Sequence, residues 1–331
     1  RYFKLPENWT RQREASRLGN SVLLGLWILL LVGLAALAIL FLVKQIRAGK
    51  ILWKRSLWVG VALAGVTFFS GLLNIPLMFQ RYDTSISLSN FWIMMGVGLA
   101  VGPLLRGLIG WLAVALATSL YPDSWALFRA AARRLWRRDA LLALVLSIAA
   151  AAGISQLNAL ISNHFHAFAR VPYGIFPGRM DVSLPGLALM LQALAYTILG
   201  SAVAGILIHV ARSGWSRRAW WIWPVALLIL VSLGPYWAHS VREYVAGWVM
   251  NFLPLAAAGM IAVWFFRTNI LAYVGFIFCL QIAAPLVQLL SQPSAFFRWN
   301  GALVLIFSLL VLAWMLTVWS RTPQSESAAS G

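Results

Sequence analysis

The 331 residues are 62% hydrophobic and only 10% charged, where a soluble domain has about 45–50% apolar and about 25% charged residues. Apolar surface on that scale cannot be hidden in a water-soluble core, so a soluble globular protein is excluded and lipid is required. The formal net charge of +18, from 26 Lys and Arg against 8 Asp and Glu, falls in short loops between apolar runs. There it sets orientation and meets anionic headgroups rather than nucleic acid.

A bilayer core of ~30 Å needs roughly 20 apolar residues of helix. Nine runs meet or approach that length: residues 21–43, 57–79, 88–120, 140–161, 184–211, 220–235, 245–266, 270–290 and 302–319. The fold class expected is therefore all-α, a polytopic transmembrane bundle of about nine spans. The third run is long, at ~50 Å for 33 residues, and Arg106 is its only charge. It is either one helix kinked at Gly102-Pro103 or two short segments folded back.

Loop charge favours one crossing. Lys44, Arg47, Lys50, Lys54, Arg55, the arginines of 129–138, and Arg212, Arg217, Arg218, Arg267 and Arg321 then share one face. The other face keeps only Arg81, Arg170, Arg179, Arg242 and Arg298, leaving the N-terminal segment aside. By the positive-inside rule the N-terminus lies outside and the C-terminus in the cytoplasm. Residues 1–20 then form a basic juxtamembrane segment on the outer face, natural if a further anchored region precedes it. Residues 21–139 hold the N-terminal spans, 140–320 the remaining helical core and 321–331 a small polar tail expected to be disordered.

Within the basic loop 124–139, Trp125 and Trp136 belong to an apolar stripe at helical spacing, while Arg129, Arg133 and Arg137 lie four apart on another. With Arg134 and Arg138, this is the pattern of a helix lying in the headgroup plane, rings down and guanidiniums on phosphates.

Ionisable groups at membrane depth are costly enough to be functional candidates, and here they are few. By this reading all eight acids sit in loops, at span ends or in the tail. Arg106 is the one deep charge, either a site for an anionic group or a side chain snorkelling toward an interface. With Gln192 and Gln281 it forms the expected buried polar site. Two small-residue stretches, 200–205 and 256–259, are expected to pack helices closely. His164, His166, His239 and Glu243 fall on the predicted outer face as a weak metal-ligand set. His209, beside Arg212, reads as an interface residue. Cys279 is the single cysteine, so no intramolecular disulfide is possible. No nucleotide-binding, zinc-protease or nucleophile-elbow motif is present, and no cofactor is expected.

Several stretches in order resemble the membrane part of the CAAX-protease and bacteriocin-processing (CPBP) family of intramembrane glutamate endopeptidases. They are Phe3-Lys4-Leu5-Pro6-Glu7-Asn8-Trp9, residues 77–85 with Tyr82-Asp83-Thr84-Ser85, residues 223–228, and Asn269-Ile270-Leu271-Ala272-Tyr273. The resemblance implies a bacterial inner-membrane protein. It also implies a Glu-Glu-x-x-x-Arg motif on one span and histidines on two later ones, polarising a water. The corresponding fifth span reads Thr197-Ile198-Leu199-Gly200-Ser201-Ala202-Val203-Ala204-Gly205 without a glutamate, and the sixth and eighth lack the histidines. General acid–base work cannot be done by Leu and Phe.

The function expected is thus that of a pseudo-protease binding a membrane protein or lipid partner. A transporter or pore component built on broken helices at Gly102-Pro103, Pro224 and Pro254 is the alternative, and an enzyme with outer-face chemistry at the histidines a further one.

Overall fold

A computed structural model of the chain describes residues 18–49, 51–80, 82, 85–121, 130–164, 182–212, 230–235, 238, 240–261, 264, 266 and 269–316. The helices among them are α1 (Leu18–Arg47), α2 (Trp53–Leu73), α3 (Ile75–Gln80), α4 (Leu88–Leu120), α5 (Ala130–His164), α6 (Pro185–Arg212), α7 (Val241–Ile261), α8 (Ile270–Ser291) and α9 (Ala295–Leu316). No strand occurs among the described residues. By length and composition α2 and α4–α9, seven helices, can each cross a membrane. The chain is an all-helical polytopic bundle and an integral membrane protein.

Bounds follow local chemistry. Ser87 caps α4, its Oγ accepting from Asn90 N at 3.4 Å. Asn269 caps α8, its Oδ1 accepting from Leu271 N at 3.1 Å and Ala272 N at 3.3 Å, while its Nδ2 donates to Asp139 Oδ2 of α5 at 3.0 Å. The run at 88–120 is one unbroken helix that carries Pro103 inside it, as the loop charges require of a single crossing.

Two expectations are modified. The second run is not continuous to residue 79: it stops at Leu73, and a short α3 follows. Pro76 has no N–H to offer the Leu72 carbonyl and its ring clashes with that turn, while Asn74 closes α2 by donating from Nδ2 to the Ser70 carbonyl. The basic stretch at 130–139 is helical, but it runs without a break into the span as the first turns of α5 rather than forming a helix of its own. The expected sixth span, 220–235, lies outside the described residues except for its last turns.

Helices α6 and α8 form the centre. The α8 helix packs against α5, α6 and α9; α6 packs against α2, α4, α8 and α9; α7 leans on α5. Between α6, α8 and α9 lies an apolar cluster of Leu189, Ala193, Phe278, Ile282, Leu289 and Val304. A second, around Phe266, Tyr273 and Phe276, fills the space between α5 and α8. Asn300 of α9 is satisfied across a seam: buried, it accepts from Gly186 N at the start of α6 at 2.9 Å and donates to Phe296 O at 2.9 Å, whereas the buried Thr197 and Ser201 hydroxyls of α6 have no hydrogen-bond partner among the described residues.

The α2–α4 pair is held by glycine. A Cβ on Gly60 would lie 2.6 Å from Trp111 Cβ and 2.8 Å from the Gly107 carbonyl, and one on Gly107 would lie 2.7 Å from Ala64 Cβ. Hydrocarbon tails offer no hydrophobic drive for helix association, so such backbone contact carries it. A helix end at 230–233 is closed in a related way. Leu230 O and Val231 O each take a long backbone N–H bond, from Leu233 and Gly234 at 3.4 Å, and all four terminal carbonyls accept from side chains: Leu230 O from Trp248 Nε1 at 2.7 Å, Val231 O from Tyr244 OH at 2.6 Å, Ser232 O from Trp27 Nε1 at 3.2 Å and Leu233 O from Asn251 Nδ2 at 2.7 Å. Three of the donors lie at i, i+4 and i+7 on α7, so one face of that helix serves a whole helix terminus.

Candidate functional site

The described residues hold a cleft of about 790 Å³ along the α2–α4 pair. It starts where α3 and the turn after it meet α4, at Leu77, Met78, Ile86 and Phe91, and runs down to Pro103 and Arg106. An aromatic cluster sits at its mouth: Tyr82 and Phe91 ring centroids are 4.9 Å apart, and Phe79 lies 5.8 Å from Phe91 and 6.0 Å from Trp92. Tyr82 OH donates to Ile86 O at 2.7 Å and ties the turn. Tyr and Trp of this kind belong at membrane–water interfaces.

Beyond the mouth the walls are Met94, Met95 and Leu99 on α4, with Thr67, Ser70 and Asn74 on α2. Thr67, Ser70 and Asn74 are spaced i, i+3 and i+7, one face of a helix. Pro103 leaves the Leu99 carbonyl without its helical N–H donor, adding an acceptor to the wall. The floor is smooth, because Gly98 and Gly102 carry no side chain and a Cβ added to either would meet nothing within 4 Å.

Arg106 stands at the deep end. It lies near the middle of α4, more than ~20 Å of helix from either terminus, which exceeds half the thickness of a bilayer core. Around it a smaller space of about 60 Å³ is lined by Thr67, Ser70, Gln192 and Tyr196, with Ala195 and Leu199, joining the cleft to α6. Thr67 Oγ1 is buried without a hydrogen-bond partner among the described residues, and the Arg106 guanidinium has no ion-pair or hydrogen-bond partner among them either. Just past Arg106 the α2 and α4 backbones come together at Gly60 and Gly107, and the Leu63 side chain lies against Gly110. The cleft closes at this end, while its flank stays open along the exposed Met94, Gly98, Gly102 and Arg106.

The structure therefore brings Arg106 and Gln192 together at one cavity, as an exposed and a half-buried side chain rather than a buried pair, but not Gln281. That residue lies on α8, beyond the apolar cluster on the opposite side of α6. Thr67, Ser70 and Tyr196 were missed as members, although the polar i, i+3, i+7 stripe on α2 and the Gln192–Tyr196 spacing of one turn were both visible.

Other candidates stand apart. His164 ends α5, its Nδ1 2.8 Å from Leu160 O. Glu243 is in the first turn of α7, its N–H donating to Ser240 Oγ at 3.2 Å. His166 and His239 lie outside the described residues, among which no three His, Cys, Asp or Glu side chains converge. Trp125 and Arg129 also lie outside them. Arg133, Arg134 and Trp136 are on the described backbone of α5 without described side chains, and Arg137 and Arg138 are exposed near its start. His209 packs edge-on against Tyr121, centroids 5.9 Å apart, beside the Tyr121 OH bond to Gly205 O at 3.1 Å.

Comparison of the chain with protein-family models, with curated proteins and with solved structures finds no match.

Proposed function

We propose that this integral membrane protein is a non-catalytic member of the CPBP-like scaffold, working in a bacterial inner membrane by binding a membrane partner in the α2–α4 cleft. The observation that carries the reading is the contrast between two faces of α6. On one, Leu189 and Ala193 pack against Phe278 and Ile282, and the stretch 197–205, where the resemblance would put the glutamates, offers only the buried hydroxyls of Thr197 and Ser201, which do no general acid–base work without a base beside them. On the other, the cleft combines apolar walls with a few convergent polar groups, the composition of a ligand pocket, and its volume lies within the usual range of roughly 300–1,000 Å³.

A transporter reading draws support from the same observation, since Arg106 sits at mid-helix beside a proline-interrupted turn. The closed glycine seam beyond Arg106 favours binding over passage. Detergent-free extraction of the chain into polymer nanodiscs, followed by native mass spectrometry, tests the choice. A co-extracted molecule is expected on the natural chain and not on Gly102→Phe, whose ring fills the cleft. Equal retention by both, or solute flux in proteoliposomes, contradicts the reading.

A further inference from the structure

We infer that the cleft's occupant is a single-chain amphiphile with one anionic group, its carboxylate or phosphate seated on Arg106 and its chain along α4. The inference rests on the reading of the cleft as a binding site and adds the chemistry of the ligand.

Charge comes first. A cation at membrane depth is normally paired, yet no acid among the described residues reaches Arg106. A guanidinium offers a planar fork of donors that fits a carboxylate or a phosphate in bidentate fashion. The space of about 60 Å³ beside it takes such a group with a water or two, since one water needs only ~10–15 Å³ by a comparable measure. The Thr67 and Ser70 hydroxyls and the Gln192 amide line the same space, so the remaining oxygens of the anion have donors to meet.

Shape comes second. From Phe91 to Arg106 the cleft follows ~22 Å of helix. Its volume of about 790 Å³ spread over that length gives a mean cross-section of roughly 36 Å². One extended hydrocarbon chain fits. Three of the walls are methionines, Met78, Met94 and Met95, whose unbranched thioethers adapt to a chain of variable bend.

The test uses the full chain in phosphatidylcholine nanodiscs, with 16-doxylstearate as probe and its methyl ester as the uncharged control, read by electron paramagnetic resonance. The acid is expected to give a saturable immobilised component at one site per chain, and the ester to bind at least tenfold more weakly. Arg106→Gln should weaken the acid at least tenfold, with Arg106→Lys recovering part of the loss. Gly98→Phe, which fills open space without touching Arg106 or a packed seam, should abolish the component in a chain that melts normally. Displacement by palmitate or by palmitoyl lysophosphatidate supports the class, and their order identifies the anion. Acid and ester binding alike, or Arg106→Gln binding as the natural chain does, overturns the inference. If Gly98→Phe still abolishes that binding, the cleft survives as a binding site and only the anionic class falls. If neither variant changes it, both fall.

Discussion

At the residue scale the molecule depends on where side chains are left out. Gly60 and Gly107 let α2 and α4 touch, and any substituent there must displace backbone or a Trp111 Cβ held in the facing helix. Gly60→Val is expected to cost about 1–3 kcal/mol, the usual scale of overpacking, and to lower the midpoint of thermal unfolding followed by tryptophan fluorescence. An unchanged midpoint would mean that the seam is not in contact. Gly98 and Gly102, nine and five residues before Gly107 on the same helix, tolerate side chains because they face open space. Tyr244→Phe tests the closure at 230–233. Removing the donor to Val231 O should cost about 0.6 kcal/mol and no more than ~1.7, the range for hydrogen bonds between helices in membranes, read in the same melt. No loss at all would show that the Gly234 N–H, 3.4 Å from this carbonyl, suffices for it.

At the element scale, helix ends were legible wherever a capping residue adjoined a long apolar run. Asn269 before α8 and Ser87 before α4 are such cases, and the run at 88–120 matches α4 end for end. The break at Asn74 was legible too, in the Asn74-Ile75-Pro76 sequence, but apolar content on both sides masked it. Which glycines pack was not legible. Gly200 and Gly205, in a conspicuous small-residue stretch, do approach Ile277 and Tyr121, whereas Gly259 in another meets nothing. The backbone approach of α2 to α4 falls at Gly60 and Gly107, ordinary in their own helices and decisive only once those helices are paired. The same holds for Arg106: its depth could be counted along the chain, but its company of Thr67 and Gln192 depends on three helices meeting. Topology at this scale is tested by single cysteines in a Cys279→Ser background. If α4 crosses once, Ser85→Cys and Asn163→Cys label from one side of sealed vesicles and Ala48→Cys from the other. A re-entrant α4 would put Asn163→Cys on the side of Ala48→Cys.

At the scale of the whole molecule, α6 divides two kinds of interior. Toward α8 and α9 the packing is close and mostly apolar, with the Thr197 and Ser201 hydroxyls buried in it, and Asn300 and Asn269 are spent on holding helix ends together. Toward α2 and α4 there is a cleft closed at its deep end, where the Arg106 guanidinium has no partner among the described residues. On the proposed reading stability and recognition fall on opposite faces of one helix, so substitutions in the cleft should spare the fold and substitutions at the α6–α8 seam should not. Ala193→Leu, at a position only 1% exposed, is expected to reduce the yield of monodisperse protein in detergent, judged by size-exclusion chromatography, while Gly102→Phe leaves it unchanged. The reverse pattern would place the structural centre on the wrong side of α6.

The most direct test of this division is thiol accessibility from water. Single cysteines at Gly98 and Gly102 in the cleft, and at Leu189 and Ala193 in the seam, are exposed to a membrane-impermeant anionic methanethiosulfonate in the Cys279→Ser background. The cleft positions are expected to react, and faster with the anionic reagent than with its cationic counterpart because of Arg106, while the seam positions stay unmodified in the folded protein. Reaction at Leu189→Cys or Ala193→Cys with the cleft positions silent would place the wet, functional interior between α6 and α8 and contradict the account.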